Sequence, residues 1–254
     1  MRQSRVLVVG GLILLALSQL GAKEAHHTTT THWGYMGESS PAHWGDLSEK
    51  FKTCKEGREQ SPINIVPTKD TKLEPLNLNY SVGAKSIINN GHSIQINIKD
   101  GNIFKVDGKT YKLKQFHFHV PSENNIKGDA FPLEAHFVHV SDDGEIAVIG
   151  VMFKEGEKNR ALQKIWKNIS ELDEGKELES DANLYDIKAL MPEEKSYYRF
   201  KGSLTTPPCS ENVKWFLFKT PLTVSKEQIN SFFNQFSFPN NRPIQPTNGR
   251  EILE

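Results

Sequence analysis

Short β-like runs dominate the middle of the chain, and several of them alternate apolar and polar residues with a period of two. The runs are "SIINNGHSIQINI" (86–98), "NIFKVDGKTYKLKQFHFHV" (102–120), "LEAHFVHV" (133–140), "EIAVIGVMF" (145–153) and "VKWFLFKT" (213–220). That is the period at which successive side chains of a β-strand point to opposite faces. The turn dipeptides Asn90-Gly91, Asp107-Gly108 and Asp143-Gly144 fall between or within these runs, where they read as hairpins and require antiparallel pairing of the flanking strands. Helical spacing is confined to "NRALQKIWKNI" (159–169) and "SKEQINSFFNQF" (225–236), the second with Ser225 as an expected N-cap. The pattern predicts a mainly β (α+β) protein whose body is a sheet and whose helices are short.

The N-terminal end of the chain departs from this pattern. Arg2 and Arg5 precede an apolar stretch from Val6 to Leu20, followed by the small residues Gly21 and Ala22. The stretch is shorter than the roughly 20 residues that span a bilayer, so residues 1–22 read as a signal peptide cleaved after Ala22, with an uncleaved anchor as the alternative. No cysteine follows it, which argues against lipoprotein processing. Residues 23–32, "KEAHHTTTTH", form a polar segment expected to be mobile, and His26, His27 and His32 fit a solvated tail better than a metal site. From Trp33 to Glu254 no linker, charge block or repeat marks an internal boundary, so one domain is expected over 33–254.

Export changes the reading of the cysteines. The chain has only Cys54 and Cys209, and an oxidising compartment, periplasmic or extracellular, favours a disulfide between them; two separate buried thiols are the alternative. With 254 residues and 37% apolar content the chain can bury a sizeable core. Lys plus Arg and Asp plus Glu both number 31, so there is no charge footprint for nucleic acid and a small or neutral substrate fits better than a polyanion.

The alternation also sorts the histidines. Gln115, His117 and His119 share one face of their strand, and Phe116, Phe118 and Val120 share the other. In the next strand Glu134, His136 and Val138 lie on one face and Ala135, Phe137 and His139 on the opposite one. If the two strands are neighbours, His117, His119 and His136 converge. Three imidazoles with an open fourth position fit a catalytic zinc ion, although a lone His-x-His pair also serves packing. Gln115 and Glu134 are placed to hold the ring nitrogens that face away from the metal, fixing tautomer and orientation. His139 faces the other way and reads as a structural histidine.

In addition to these residues, "HWGY" (32–35), "QSPINI" (60–65), "NNGHSIQI" (89–96), "QFHFH" (115–119), "EAHFVH" (134–139), "GSLTTPPC" (202–209) and "NNRPIQ" (240–245) occur in one order along the chain. In them the chain resembles an α-class carbonic anhydrase of the exported bacterial type. The resemblance implies a single domain with a large twisted, mostly antiparallel central sheet and short peripheral helices. It places Zn2+ on His117, His119 and His136 in a conical cavity, and pairs Cys54 with Cys209. Zinc-dependent hydration of carbon dioxide to bicarbonate and a proton is the implied reaction. Thr205 is expected to orient the attacking hydroxide through a hydrogen bond passed on to Glu123, and Tyr35 to join the Thr205 water network. His92 is expected to carry the proton out, an exposed imidazole being suited to this near neutral pH. Asn90, His92 and Gln95 line the polar wall. Val138, Val148, Leu204, Val213 and Trp215, with Thr206 beside them, form the substrate side.

The implied partners are carbon dioxide and bicarbonate, with sulfonamides and anions as inhibitors; some exported relatives are homodimers, which makes a homodimer the expected assembly. The sequence departs from many animal relatives at Val120-Pro121 and Asn124, where those carry Trp-Gly and a histidine. This puts the loop around Glu123 in question, while all three zinc histidines are present. The alternative function is a catalytically silent zinc-binding or adhesion protein on the same fold.

Overall fold

The computed structural model describes residues 31–167, 169–179 and 186–254, and Thr31–Glu254 form one compact unit. The expected signal peptide, 1–22, and all but the last two residues of the polar segment 23–32 lie outside the described residues.

Alternating sequence becomes strand wherever a turn signal allows the chain to reverse. The strands are β1 (Asn64–Ile65), β2 (Asn77–Asn79), β3 (Ala84–Asn89), β4 (Ile94–Ile98), β5 (Ile103–Val106), β6 (Lys109–His119), β7 (Asn125–Ile126), β8 (Leu133–Ser141), β9 (Ile146–Glu155), β10 (Glu177–Glu179), β11 (Tyr197–Ser203), β12 (Glu211–Phe218) and β13 (Leu222–Val224). Among the described residues, eleven of them form one sheet with the main order β10-β3-β4-β6-β8-β9-β12-β11, to which β2, β5 and β13 add at the sides. The three hairpin dipeptides connect β3 to β4, β5 to β6 and β8 to β9, all antiparallel. At Asp107-Gly108 both residues have positive φ (51° and 71°), the backbone a two-residue hairpin of matching twist needs.

The sheet is not antiparallel throughout, because β9 pairs in parallel with both β12 and β13. Strand β11 was not among the expected runs, although Arg199 and Lys201 alternate with buried Tyr198 and Phe200; it pairs with β12 along its whole length.

One face of the sheet buries the main core. Phe116, Phe118, Ala135 and Phe137 are fully buried in it, as the alternation in β6 and β8 required. The short helices are α1 (Trp44–Leu47), α2 (Thr53–Glu56), α3 (Arg160–Trp166) and α4 (Lys226–Phe236). Asn159 caps α3 by accepting from the backbone N–H groups of Ala161 and Leu162. That helix ends at Trp166, and Ile169 opens a separate 3-10 turn where the sequence suggested one continuous helix. Ser225 caps α4 in a capping box with Gln228. Both helices lie on the phenylalanine side, with Trp166 edge-on to Phe118 and Phe232 against both. The opposite face of β6 and β8 is left to the histidines.

Candidate metal centre

Register decides which side chains meet. In the β6–β8 ladder His117 lies opposite His136 and His119 opposite Glu134, so the three imidazoles project from one face of adjacent strands. One candidate ligand atom from each of His117, His119 and His136 lies within 4.8 Å of the others.

Each ring is held by a separate acceptor. His117 Nδ1 donates to Gln115 Oε1 (2.8 Å) and His119 Nδ1 donates to the backbone oxygen of Asn240 (2.7 Å). His136 Nε2 is 2.9 Å from Glu134 Oε1, with its N–H out of line, so that this is a close electrostatic contact more than an aligned hydrogen bond. These partners leave Nε2 of His117, Nε2 of His119 and Nδ1 of His136 for the centre of the site. Buried His119 Nε2 has no hydrogen-bond partner, a condition that costs about 1–3 kcal/mol for a buried polar atom unless something else binds it. Burial, then the neighbouring imidazoles, pushes His117 well below the ordinary histidine range; burial also lowers His119. Neutral rings with free nitrogens are the form in which histidine binds a metal. The donor set therefore fits zinc.

Glu134 is fully buried and accepts from the backbone N–H groups of Glu123 (2.8 Å) and Asn124 (2.9 Å) and from Asn124 Nδ2 (2.8 Å). Burial alone would raise its pKa; His136 and the Asn124 donors more than offset this and hold it below the usual value. Asn124, the departure noted above, thus orients the carboxylate that faces His136. Gly150 lies opposite His136 in β9, and a Cβ there would sit 3.3 Å from Glu134 Oε1 and 2.3 Å from Leu217.

Glu123 is buried beside the histidines. Its Oε1 accepts from the Arg242 backbone N–H (2.8 Å), while Oε2 lies 3.4 Å from His119 Nε2 and 3.7 Å from His136 Nδ1. Burial pushes its carboxyl up to about 7, opposed by His136, the Arg242 N–H and the Thr205 hydroxyl. Thr205 is itself buried in the loop after β11. Tyr35 is close enough for burial and then the Glu123 charge to push its phenol well above the ordinary value, so it stays protonated.

The apolar side of the site comes from β8, β9 and β12. Val138 pairs with Val148 across β8 and β9, and both cluster with Leu204, Val213 and Trp215. The Trp215 ring is 4.9 Å from that of His136, which puts this cluster against the histidines. Thr206 is half-buried in the next turn, where its carbonyl accepts from Cys209 N (2.8 Å). Cys54 and Cys209 are joined in a disulfide. His139, on the opposite face, is fully buried between the Tyr80 hydroxyl (2.7 Å from Nε2) and the Ala147 carbonyl (3.3 Å from Nδ1).

His92 lies in the β3–β4 turn. Its backbone N–H donates to Asn90 Oδ1 (3.0 Å), its carbonyl accepts from Asn240 Nδ2 (2.9 Å), and its ring stacks on Trp33. Gln95 stands opposite His117 in the β4–β6 ladder and accepts from Asn90 Nδ2 (3.4 Å). Sequence reasoning missed three contributors: Asn240, Arg242 and Trp33. Asn240 and Arg242 were visible only as members of the motif "NNRPIQ".

A mixed sheet that brings three histidines together on one face, two of them buried, defines a β-sheet protein with a candidate three-histidine metal site. Residues 39–254 match the family model for eukaryotic-type carbonic anhydrase. A carbonic anhydrase of Pectobacterium atrosepticum is 45% identical over 244 residues, covering 96% of this chain and 99% of the relative. Among solved structures, a hyperthermostable carbonic anhydrase from an active hydrothermal vent chimney is 48% identical with a TM-score of 0.84, covering 88% of this chain and 99% of that one. The α-carbonic anhydrase of Thermovibrio ammonificans, solved with the inhibitor sulfanilamide, is 43% identical with a TM-score of 0.84, covering 89% of this chain and 100% of that one. The chain belongs to the eukaryotic-type (α) carbonic anhydrase family of enzymes.

Proposed function

We propose that this chain reversibly hydrates carbon dioxide to bicarbonate and a proton, with zinc held by His117, His119 and His136. The observation that carries the reading is the convergence of three imidazoles, each with a ring nitrogen turned toward the others, beside a buried carboxylate and an apolar wall. Zinc bound there supplies Lewis acidity that makes hydroxide available near neutral pH, an effect for which carbonic anhydrase is itself the standard example.

The chain's own residues orient and separate the reactants. The Arg242 backbone N–H fixes Glu123, whose carboxylate is placed to accept a hydrogen bond from the Thr205 hydroxyl. The Thr205 oxygen is then left as an acceptor, which fixes the direction of the attacking oxygen's proton and points a lone pair at the substrate. Val138, Val148, Leu204, Val213 and Trp215 offer carbon dioxide a dry surface, with Thr206 at its edge. His92 takes up the proton and passes it to a base in solution, and Tyr35 donates into the water chain between. A buried Glu123–Thr205 pair has no use in zinc storage or adhesion, and this favours the enzyme over a silent protein on the same fold.

Sulfonamides and small anions are the expected inhibitors, in line with the relative solved with sulfanilamide. The disulfide suits an oxidising compartment and supports export to the periplasm or beyond. The test is stopped-flow carbon dioxide hydration by the chain from Lys23 onward, before and after chelation. Hydration lost with zinc and restored by adding it back supports the reading; folded, fully zinc-loaded protein that does not hydrate carbon dioxide overturns it.

A further inference from the structure

The β3–β4 turn that carries His92 is fixed on all sides. Asn90 Oδ1 accepts from the backbone N–H groups of His92 and Ser93 (3.0 and 2.8 Å), and Gly91 N donates to Asn89 Oδ1 (3.0 Å). The loop leading into β10 is docked against this turn. Gly175 N donates to Asn89 O (2.8 Å), Asn89 N to Lys176 O (3.3 Å) and Asn89 Nδ2 to Leu172 O (3.0 Å). These bonds set the exposed side chain of Glu174 on Gly91, next to His92. A Cβ on Gly91 would lie 2.7 Å from Glu174 Oε1, and Gly91 has a φ of +81°, a backbone conformation that favours glycine here.

The charges around the turn are few. Lys176, two residues on, gives its ammonium to the Glu171 carbonyl (2.8 Å), and among the described residues the Glu174 carboxylate makes no ion pair. The N-terminal segment contributes His32 and the uncharged Trp33, and the segment behind the turn contributes the uncharged Asn240.

We propose that Glu174 is a positioning residue for proton transfer: its free carboxylate, docked on Gly91, stabilises the imidazolium that forms when His92 takes the proton from the site. The inference rests on the reading of His92 as the proton carrier. The step is a transfer from the water at the site to the His92 ring and then from the ring to a base in solution; Glu174 accepts no proton. Its charge acts because burial and the nearby His32 both disfavour the charged imidazole, so without a compensating anion His92 would be a poor acceptor.

The experiment compares E174Q, E174D and E174K with the unaltered zinc-loaded protein. NMR titration of labelled histidines follows His92 among the nine, assigned through H92A. E174Q is expected to lower the His92 pKa by about half a unit at low ionic strength, less at high salt, as a screened charge must. E174K lowers it further and E174D largely restores it. In weak buffer kcat for hydration falls about two- to threefold in E174Q while kcat/KM holds, because kcat alone waits on proton transfer. A His92 pKa unmoved by E174Q and E174K overturns the proposal, and so does a lowered pKa with unchanged kcat. Should the unaltered protein fail to hydrate carbon dioxide, the reading of the function falls, and the titration still shows whether Glu174 and His92 are coupled.

Discussion

The imidazole of His92 lies flat on the indole of Trp33, with ring centroids 3.6 Å apart and planes 11° from parallel. Trp33 is in turn held edge-on by Tyr35 and Trp44, so the histidine rests on a fixed aromatic platform at the end of the N-terminal segment. Burial against this platform, followed by the charge of His32, lowers the His92 pKa. W33A removes the cover, and the His92 pKa is expected to rise toward the ordinary histidine value of about 6.5. NMR titration reads the shift directly; an unchanged or lowered value would contradict the assigned cause.

Removal of the imidazole separates chemistry from proton transfer. H92A should slow turnover in weak buffer by about a hundredfold, the lower end of what a positioned acid or base contributes. Added imidazole should restore much of the loss, and kcat/KM for carbon dioxide should change little. Equal turnover of H92A and the unaltered protein in weak buffer removes His92 from the mechanism.

The parts of the site that the sequence disclosed are those written with a period of two. His117, His119 and His136, their acceptors Gln115 and Glu134, and the structural His139 on the opposite face all follow from strand alternation, because β6 and β8 are neighbours in register. Pairing between runs is weakly encoded by pattern, and the parallel joint of β9 with β12 was not legible for that reason. The contributions of Asn240, Arg242 and Trp33 come from segments without regular periodicity. Asn240 reaches His119 across 121 residues and Arg242 reaches Glu123 across 119. Only the folded chain brings such groups together, and the family motif "NNRPIQ" marked the segment without saying what its atoms touch.

The Cys54–Cys209 bridge joins residues 155 apart in sequence. A loop of that length gives about 5 kcal/mol in the chain-entropy model before native strain. The bridge also anchors local structure, since Arg242 Nη2 donates to the Cys54 carbonyl and Gln60 Nε2 to the Cys209 carbonyl. Reduction, or the double substitution C54S/C209S, should lower the guanidinium midpoint by several kcal/mol's worth of stability. It should also disturb the Thr205 loop. Equal midpoints with and without reductant would show that the bridge contributes nothing to folding.

His139 makes an acid-sensitive contribution of definite sign. Burial lowers its pKa to about 4 in the folded chain, against about 6.5 when unfolded. Between these values the unfolded state binds the extra proton, so stability rises with pH across the window and is lost on acidification from about 6.5 down to about 4. The full effect is on the order of 3 kcal/mol. H139Q is less stable near neutrality because Tyr80 loses its partner, yet its stability should vary less between pH 4 and 6.5. Parallel pH–stability curves for H139Q and the unaltered chain rule out this origin.

The last prediction concerns how firmly His136 is held. Glu134 is an ionised carboxylate that receives two backbone N–H groups and the Asn124 side-chain amide, and its Oε1 is 2.9 Å from His136 Nε2. E134Q preserves the shape and removes the charge. Whichever way the new amide turns, its NH2 group faces donors, either the backbone N–H groups of Glu123 and Asn124 or the Asn124 amide with the His136 ring. The neutral oxygen left to the other side is also the weaker acceptor. Zinc affinity should therefore drop about 10- to 100-fold, the usual cost of losing an oriented partner behind a metal-binding histidine. G150A should act in the same direction, since its Cβ would crowd Leu217 and approach Glu134 Oε1. Competition against a chromophoric chelator measures the affinity of both variants without reference to activity. Wild-type affinity in a folded E134Q protein would mean that His136 is oriented by the strand alone, and that the carboxylate is retained to hold the Glu123–Asn124 loop.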